Sequence, residues 1–325
     1  MVQSNDSWRP VFSVESLAAR AKLLSDIRAF FAPCGVLEVE TPILSPASTT
    51  DPNIESFETR FGGHALYLHT SPEFAMKRLL AAGSGAIYQV CKVFRAEEHG
   101  RFHHPEFTML EWYRPGFDHH QLMDDVAALL IAVGAPACIG RRRFAEAFEE
   151  AVGLNPHTAS ETSLHERIRA MSVNDGSSTP VLRGRGELLD YLFGFHIAPS
   201  LGRTGPEFIF DFPVEHAALA RIRPDPVPVA ERFELFWQGV ELANGFHELT
   251  DAAEQRRRFE ADNNRRRERG LAAVAVDRQL IQALTAGLPE CAGVALGIDR
   301  LMMLLSGASS LAQGTLPFAA DLFPR

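Results

Sequence analysis

Two strand-like segments joined by a polar loop constrain the fold of this chain more than any other feature. They cover residues 87–97 and 107–113, and acidic residues and histidines fill the loop between them. Successive side chains of a strand point to opposite faces, so the pair has one apolar and one polar face. The polar face would carry Arg95, Glu97, Glu111 and Tyr113. Charges on the wet face of a hairpin are common, so this pattern alone leaves a structural and a functional explanation open.

The remaining pattern indicates an α+β fold with an antiparallel sheet flanked by helices. Apolar residues recur at helical spacing over residues 15–33, and Gly35 follows the end of that run. Further strands are predicted at 36–40, 64–70, 208–212, 231–243 (with a hairpin turn at 238–239) and 293–297. Further helices are predicted from Ser71 and at 252–269, 277–286 and 298–305. The pattern weakens over residues 140–205, which we interpret as a variable insertion within a single domain, 1–325.

Charge and composition narrow the class of partner. The formal net charge of −9 leans against a nucleic acid as the main partner, because nucleic-acid-binding surfaces are usually basic. The one basic cluster, residues 255–269, is interleaved with acids and is interpreted as a solvated helix face. No apolar run approaches the roughly 18 residues that cross a bilayer. Residues 1–9 lack the apolar core of a secretory signal, and the four cysteines are far apart, so we expect a cytoplasmic protein with no membrane partner.

Three segments resemble, in order, the three motifs of class II aminoacyl-tRNA synthetases. Residues 35–42 (GVLEVETP) are similar to motif 1, residues 94–107 (FRAEEHGRFHHPEF) to motif 2 and residues 293–301 (GVALGIDRL) to motif 3. A fourth block, residues 240–251 (VELANGFHELTD), is similar to the lysyl branch. The resemblance runs through nearly the whole chain. It implies the class II catalytic fold, ATP-dependent activation of an amino acid, and a homodimer whose interface includes motif 1.

The resemblance also implies a site for ATP built mainly from charged side chains. Activation is in-line attack of a carboxylate on the α-phosphorus, so such a site supplies position and charge rather than a nucleophile. Arg95 would hold the α-phosphate and Arg300 the γ-phosphate, because guanidinium groups match phosphate oxygens, and these two are the predicted catalytic residues. Glu97 and His104 would contact the adenine, with His104 where the wider family usually has asparagine. The other predicted nucleotide-binding residues are Ala96, Glu241, Leu242 and Gly297.

Glu241 and Glu248 are the predicted ligands of Mg²⁺. Their separation is odd, so a regular strand would place them on opposite faces. A shared ion therefore requires a bulge or turn, and residues 244–245, an Asn-Gly pair, are the expected position. An unbroken strand from 241 to 248 would rule out the shared ion. The five histidines between residues 99 and 120 lack a regular ligand spacing and have no accompanying cysteine, so no zinc site is predicted.

The substrate implied by the resemblance is an amino acid with a second amine. Several carboxylates and a tyrosine around a small ligand suit a diamine such as lysine. The predicted substrate-binding residues are Ser71, Pro72, Glu73, Tyr113, Glu248 and Ala295.

The segment that precedes motif 1 predicts the kind of acceptor. It is too short for the anticodon-binding OB-fold of a full lysyl-tRNA synthetase, so we expect no tRNA partner. Residues 70–80 (TSPEFAMKRLL), 105–116 (PEFTMLEWYRPG) and 239–252 (GVELANGFHELTDA) resemble the stand-alone bacterial ligases that join (R)-β-lysine to a lysine side chain of elongation factor P. Ala295 stands where ordinary lysyl enzymes have glycine, and one methyl group can discriminate between substrates by about 1–3 kcal/mol.

Two alternatives to that function stay open. One is a truncated enzyme that charges tRNA or another small acceptor, and the other is a non-catalytic, synthetase-like binding protein. The presence of Arg95, Glu97, Glu241, Glu248 and Arg300 argues against the second.

Overall fold

A computed structural model describes residues 13–175, 181–224 and 226–315. The polar N-terminal stretch considered above for a secretory signal lies outside these ranges. None of the helices within the ranges is both long enough and apolar enough to span a bilayer.

Twelve strands within the described ranges form two sheets. A nine-stranded sheet has the order β1-β5-β6-β12-β11-β10-β8-β7, with β9 beside β10, and a small sheet has the order β2-β4-β3. The strands are β1 (Leu37–Glu38), β2 (Leu44–Ser45), β3 (Glu58–Phe61), β4 (His64–Leu68), β5 (Ile87–Phe94), β6 (Glu106–Pro115), β7 (Gly140–Arg143), β8 (Glu207–Pro213), β9 (Ile222–Arg223), β10 (Val229–Trp237), β11 (Val240–His247) and β12 (Cys291–Gly297).

The large sheet is antiparallel through its centre and parallel at both edges. The pairs from β5 through β6, β12, β11 and β10 to β8 are all antiparallel. At the edges, β1 pairs with β5 and β7 pairs with β8 in parallel. The predicted α+β fold with an antiparallel sheet is therefore confirmed, and the two parallel edge pairs are an addition that the sequence pattern did not indicate.

Ten helices within the described ranges flank the sheets. They are α1 (Val14–Phe31), α2 (Glu73–Ala81), α3 (His119–Ala132), α4 (Phe144–Val152), α5 (Glu161–Asp175), α6 (Gly184–Leu192), α7 (Ala252–Glu268), α8 (Arg278–Gly287), α9 (Ile298–Leu305) and α10 (Leu311–Gly314). The first begins where the Ser13 hydroxyl accepts a hydrogen bond from the Ser16 backbone. A short 3₁₀ turn follows it and ends at Gly35, whose φ of 64° favours glycine.

Two apolar clusters cover opposite faces of the central strands. One contains Leu110 and Trp112 of β6 together with buried residues of α1, α3 and α9. The other contains Tyr113 of β6 together with buried residues of α2 and α8 and Phe259 of α7. The alternation of β6 thus separates two layers, and the second layer leaves room for the cavity described below.

The turn of the β10–β11 hairpin lies at residues 238–239, as predicted. Gln238 and Gly239 have φ angles of 54° and 75°, which is the left-handed pair that a two-residue hairpin turn requires. A β-carbon at Gly239 would lie 2.7 Å from the carbonyl oxygen of Pro199, so glycine is also needed for close packing.

Residues 140–205 form a layer of their own at one end of the large sheet. Their β7 joins β8 as an edge strand, and buried residues of α4, α5 and α6 pack with Ile209 and Phe212 of β8. That this stretch is a variable insertion stays a prediction.

Three local predictions need correction. The predicted strand 36–40 is reduced to Leu37–Glu38, whose pairing with β5 is extended only by a hydrogen bond from the Val39 N–H to the Tyr88 carbonyl. The strand predicted to reach Glu97 ends at Phe94, where the backbone enters a turn. The helix expected to be capped by Ser71 begins at Glu73 instead, with Pro72 at the N-cap.

Candidate active site

A cavity of about 1080 Å³ lies on the Tyr113 side of the large sheet. Glu111 and Tyr113 of β6 line it, while their neighbours in the strand face the opposite core, as the hairpin pattern predicts. The cavity brings together twelve of the predicted site residues: Ser71, Pro72, Glu73, Arg95, His104, Tyr113, Glu241, Leu242, Glu248, Ala295, Gly297 and Arg300. Their individual roles stay predictions.

Ala96 and Glu97 do not line the cavity. Because β5 ends at Phe94, Arg95 and Glu97 are not held on one face of a strand. Glu97 is exposed, and the backbone of Ala96 donates to the carbonyl of Glu55 instead. The expectation that strand alternation would align Arg95 with Glu97 was therefore wrong, and the carboxylate that pairs with Arg95 is Glu98, at 3.1 Å.

One end of the cavity carries the two predicted catalytic arginines. The guanidinium of Arg95 lies 5.2 Å from the centre of the Phe107 ring, a cation–π arrangement that orients it. Arg300 donates to two backbone carbonyls, those of Phe102 at 3.0 Å and Glu241 at 2.9 Å. Two positively charged forks at one end of a cavity suit an anionic ligand with several phosphate oxygens.

His104 contributes from the loop between β5 and β6. Its Nδ1 lies 2.7 Å from the carbonyl oxygen of Glu106, which fixes the orientation of the ring. The imidazole lines the cavity beside the Arg95 end, consistent with the predicted contact to a base.

The other end of the cavity is lined by buried acids. The carboxylate of Glu111 is 2% exposed and accepts hydrogen bonds from the hydroxyls of Ser71, at 2.7 Å, and Tyr113, at 2.6 Å. The Ser71 hydroxyl also accepts from the backbone N–H of Glu73, at 3.0 Å. Ser71 thus ties the start of α2 to β6 rather than acting as the helix N-cap.

Glu248 and Lys77 form a buried ion pair beside Glu111. The ammonium of Lys77 lies 2.6 Å from Oε2 of Glu248 and 2.6 Å from Oε1 of Glu73. Lys77 and Glu248 are each 1% exposed. We call the group formed by Glu73, Lys77, Glu111, Tyr113 and Glu248 the amine pocket, because its three carboxyl groups offer acceptor oxygens that suit a bound amine.

Burial controls the protonation of the amine pocket. It raises the pKa of Glu248 to about 8, against the opposing charge of Lys77. Burial and the charge of Glu73 raise the pKa of Glu111 to about 7, although its hydrogen bonds from Tyr113 and Ser71 act in the opposite direction. Perturbed acids in a cavity are typical of a functional site.

Gly293 of β12 gives the amine pocket its shape. It pairs with Tyr113 in the sheet, and a β-carbon there would lie 2.3 Å from the Tyr113 ring and 2.5 Å from Oε1 of Glu248. No side chain fits at this position without moving both. Two residues further along the same face, Ala295 lies between Asn244 and Glu111 in the sheet register and lines the cavity.

A bulge in β11 lets both acids of the lysyl-type block reach the cavity. Leu235 pairs with Ala243 while Phe236 pairs with Glu241, so Leu242 is the extra residue. Leu242 and Ala243 are both buried in the core cluster, while Glu241 and Glu248 both line the cavity. The required bulge is therefore present, but it lies at Leu242 and not at residues 244–245.

Glu241 and Glu248 differ in their fit to a Mg²⁺ ion. Glu241 lies at the arginine end, where its backbone carbonyl accepts from Arg300, and a carboxylate beside phosphate oxygens is the ligand that Mg²⁺ prefers. The carboxylate of Glu248 is already held by Lys77 in the amine pocket. The structure therefore fits Glu241 to the metal better than Glu248.

Asp299, beside Arg300, is held by two donors. It is 1% exposed, and its carboxylate accepts from Arg20 of α1 at 2.6 Å and from the backbone N–H of Thr108 at 2.6 Å. Arg20 also donates to the Thr108 hydroxyl at 2.7 Å. These contacts fix the start of α9, from which Arg300 projects.

The sequence analysis missed three residues of this site: Lys77, Gly293 and, as a site residue, Glu111. The spacing of Glu73 and Lys77, four residues apart on a helix, was a usable signal for an ion pair. The contact of Gly293 with Tyr113 depends on the register between β12 and β6, which no local pattern reveals.

Two of the five histidines between residues 99 and 120, His119 and His120, lie close to an acid, Asp211, in the folded chain. His119, His120 and Asp211 offer donor atoms that lie within 4.8 Å of one another. Asp211 is also ion-paired with Arg223 at 3.0 Å. This group does not line the cavity, and an ion-pair network explains its arrangement.

The fold, the paired arginines and the acidic pocket define a nucleotide-dependent amino-acid-activating architecture. The sequence matches the class II tRNA synthetases (D, K and N) over residues 8–321, and the chain belongs to this family. It is 50% identical to the elongation factor P–(R)-β-lysine ligase of Vibrio cholerae over 328 residues, covering 99% of both chains. It is 48% identical over 321 residues to the proteins of the same name from Salmonella dublin and Salmonella enteritidis PT4, covering 97% of this chain and 98% of theirs.

Proposed function

We propose that this chain is an AMP-forming ligase that activates (R)-β-lysine with ATP and transfers it to a lysine side chain of elongation factor P. The amine pocket carries the proposal, because its carboxyl groups face the same cavity as two arginines. Proteins that are about half identical over their full length bear the name of this activity.

The first half-reaction forms an aminoacyl-adenylate. A carboxylate oxygen of the amino acid attacks the α-phosphorus of ATP, and the bond to the β-phosphate oxygen breaks to release pyrophosphate. Arg95 would bind the α-phosphate and Arg300 the γ-phosphate, so that charge developing on the phosphates is stabilised. His104 would contact the adenine, with the backbone of the β5–β6 loop beside it. Mg²⁺ would be held by Glu241 and would shield the phosphate charges.

The amine pocket would bind the second amine of the substrate. A protonated amine placed among Glu111, Tyr113 and Glu248 has hydrogen-bond acceptors on several sides, which offsets the cost of burying its charge. Ala295 would narrow the pocket by one methyl group relative to glycine, and this favours the β-amino acid over α-lysine by about 1–3 kcal/mol.

The second half-reaction transfers the acyl group to the acceptor. The neutral amine of an acceptor lysine attacks the carbonyl carbon of the adenylate, an amide bond forms, and AMP leaves with the phosphate oxygen. The amine nitrogen gives up one proton as the amide forms, and this proton passes to the leaving AMP or to solvent. We further propose that the ligase acts in the cytoplasm and as a homodimer through residues 35–42, where Leu37 is 58% exposed in the single chain.

The direct test is a reaction of the purified chain with ATP, (R)-β-lysine and elongation factor P, followed by intact-mass measurement of the factor. We expect a gain of one β-lysyl group that depends on ATP, and no gain with the Arg300→Ala variant. Acylation of tRNA with α-lysine in a parallel assay, with no change in the mass of the factor, would favour the truncated tRNA-charging enzyme. ATP binding without pyrophosphate exchange for either amino acid would favour the non-catalytic alternative.

A further inference from the structure

The geometry points to Lys77 as a positioning residue of the amine pocket, one that holds the carboxyl groups of Glu73 and Glu248 in place so that the pocket can bind the substrate amine. The inference rests on the proposed function, because it assumes that the pocket binds the amine of an amino acid. It goes beyond that function, because it assigns a binding role to a side chain that would not itself contact the reacting atoms.

Lys77 links two acids that come from different elements. Its ammonium lies 2.6 Å from Glu73, one turn earlier on α2, and 2.6 Å from Glu248, which follows β11. It also lies 5.4 Å from the centre of the Phe246 ring, which closes the pocket on that side. A single cation thus bridges the helix and the strand that form two walls of the pocket.

One oxygen of Glu248 remains available for a ligand. Oε2 faces Lys77, whereas Oε1 is buried and has no hydrogen-bond partner among the described residues. The absence of a side chain at Gly293 leaves the space beside Oε1 that a β-carbon would fill, at 2.5 Å. A buried acceptor without a partner is costly, and a substrate N–H donor would remove that cost.

Carboxyl groups are the main charged groups around Lys77, and a phenol and a thiol lie beside them. The groups that face it are Glu73 on its own helix, Glu111 and Tyr113 on β6, Glu248 after β11 and Cys291 on β12. Burial alone would lower the pKa of Lys77, but the charges of Glu248 and Glu73 outweigh it and raise the pKa above its ordinary value.

Removal of Lys77 would leave Glu73 and Glu248 without the group that joins them. The two acids come from different elements, so their carboxyl groups would no longer be held in a fixed arrangement. An acceptor displaced from the direction of the substrate N–H makes a weaker hydrogen bond. The variant pocket should therefore bind the amino acid poorly.

A merely structural role makes a different prediction. A buried ion pair can serve only to join α2 to the sheet, and its loss would then lower stability without a selective effect on one substrate. Lys77→Met keeps the length and apolar stem of the side chain and removes the charge. Lys77→Gln removes the charge but keeps an N–H donor, so comparison of the two variants separates the effect of charge from that of hydrogen bonding. The glutamine variant is also the one to measure if the methionine variant does not fold.

The experiment measures pyrophosphate exchange against the concentrations of amino acid and ATP for the wild-type chain and both variants. We expect both neutral variants to raise KM for (R)-β-lysine by about tenfold or more, with KM for ATP within about twofold of wild type. Lys22→Met, at a side chain that is 74% exposed on α1, is the matched control and should change nothing.

Several results would overturn the inference. These are an unchanged KM for the amino acid, an equal rise in both KM values, a fall in kcat alone, or loss of folding in both neutral variants. Failure of the proposed function is distinguishable, because the wild-type chain would then not activate (R)-β-lysine. The same variants would in that case be measured with the amino acid that the wild-type chain does activate, such as α-lysine.

Discussion

Arg20 and Asp299 lie 279 positions apart in the chain, and the guanidinium of Arg20 donates a 2.6 Å hydrogen bond to the carboxylate of Asp299. The bond connects α1, at the start of the chain, with the first turn of α9. Asp299 precedes Arg300, so this contact helps to place one of the two predicted catalytic arginines.

Arg20→Met should therefore lower both stability and ATP binding. Removal of one partner leaves the Asp299 charge buried, which costs about 3 kcal/mol or more. We expect a loss of this size in urea unfolding and a raised KM for ATP. Lys22→Met, which breaks the exposed pair between Lys22 and Asp26, should cost less than about 1 kcal/mol. Equal losses for the two variants would contradict the positioning of α9 by Arg20.

Arg300→Ala should abolish activation. The side chain makes two hydrogen bonds to backbone carbonyls, so a small loss of stability is expected, but the fold should persist by circular dichroism. Loss of a charge that stabilises the transition state costs about 100-fold or more in rate. Pyrophosphate exchange measures this directly, with Arg257→Ala, at a side chain 69% exposed, as control. Retention of more than about a tenth of the activity would argue against the γ-phosphate role.

Glu241→Gln and Glu248→Gln should have separate effects. We expect Glu241→Gln to raise the Mg²⁺ concentration that gives half-maximal activity, because it removes a ligand beside the phosphates. Glu248→Gln should raise KM for the amino acid and leave the Mg²⁺ requirement unchanged, because Glu248 is held by Lys77. A Mg²⁺ titration of pyrophosphate exchange measures both. An equal shift for the two variants would instead support one ion shared by both acids.

Gly293→Ala should damage the amine pocket. The new β-carbon would lie 2.3 Å from Tyr113 and 2.5 Å from Glu248, so both side chains must move. We expect a loss of about 1–3 kcal/mol in the free energy of unfolding and a raised KM for the amino acid. Gly194→Ala is the control, because no atom lies within 4 Å of its new β-carbon. Wild-type kinetics for Gly293→Ala would show that the pocket is not used.

The stability of the free protein should depend on the protonation of Glu111. Burial raises the pKa of this group from 4.5 to about 7. Between these values the folded chain keeps a proton that the unfolded chain has released, so the free energy of unfolding falls as the pH rises from 4.5 to 7. Glu111→Gln should reduce this fall in the free energy of unfolding by about 1–3 kcal/mol, as measured by urea unfolding at several pH values. If the free energy of unfolding depended on pH in the same way for variant and wild type, the raised pKa of Glu111 would be contradicted. Glu58→Gln, on the exposed strand β3, is the control.

The family, the fold class and the ligase function could be predicted from the sequence because their signals are local. The three motifs each lie within a short segment, and helical and strand periodicities operate over a few residues. The comparisons and the sheet confirm these predictions. Use of ATP follows from the family, whereas the bound metal, the homodimer, the absence of a tRNA partner and the roles of individual site residues stay predictions.

What the sequence did not reveal depends on contacts between distant segments. The pairing of Lys77 with Glu248 and the approach of Gly293 to Tyr113 arise only when α2, β6, β11 and β12 are assembled in register. The misplaced Glu97 has a different cause. Periodicity continues through residue 97, but the regular pairing of β5 with β6 ends at Phe94, and after one more bond, from the Arg95 N–H to the Pro105 carbonyl, the chain turns.

The bulge at Leu242 makes the length of β11 as important as its composition. One extra residue shifts the alternation of side chains in the part of the strand before it, so that Glu241 faces the same cavity as Glu248. Deletion of that residue would turn Glu241 toward the core while leaving every side chain chemically intact. Over evolution, an insertion or deletion within this strand would therefore separate the nucleotide end of the cavity from the amine end in a single step.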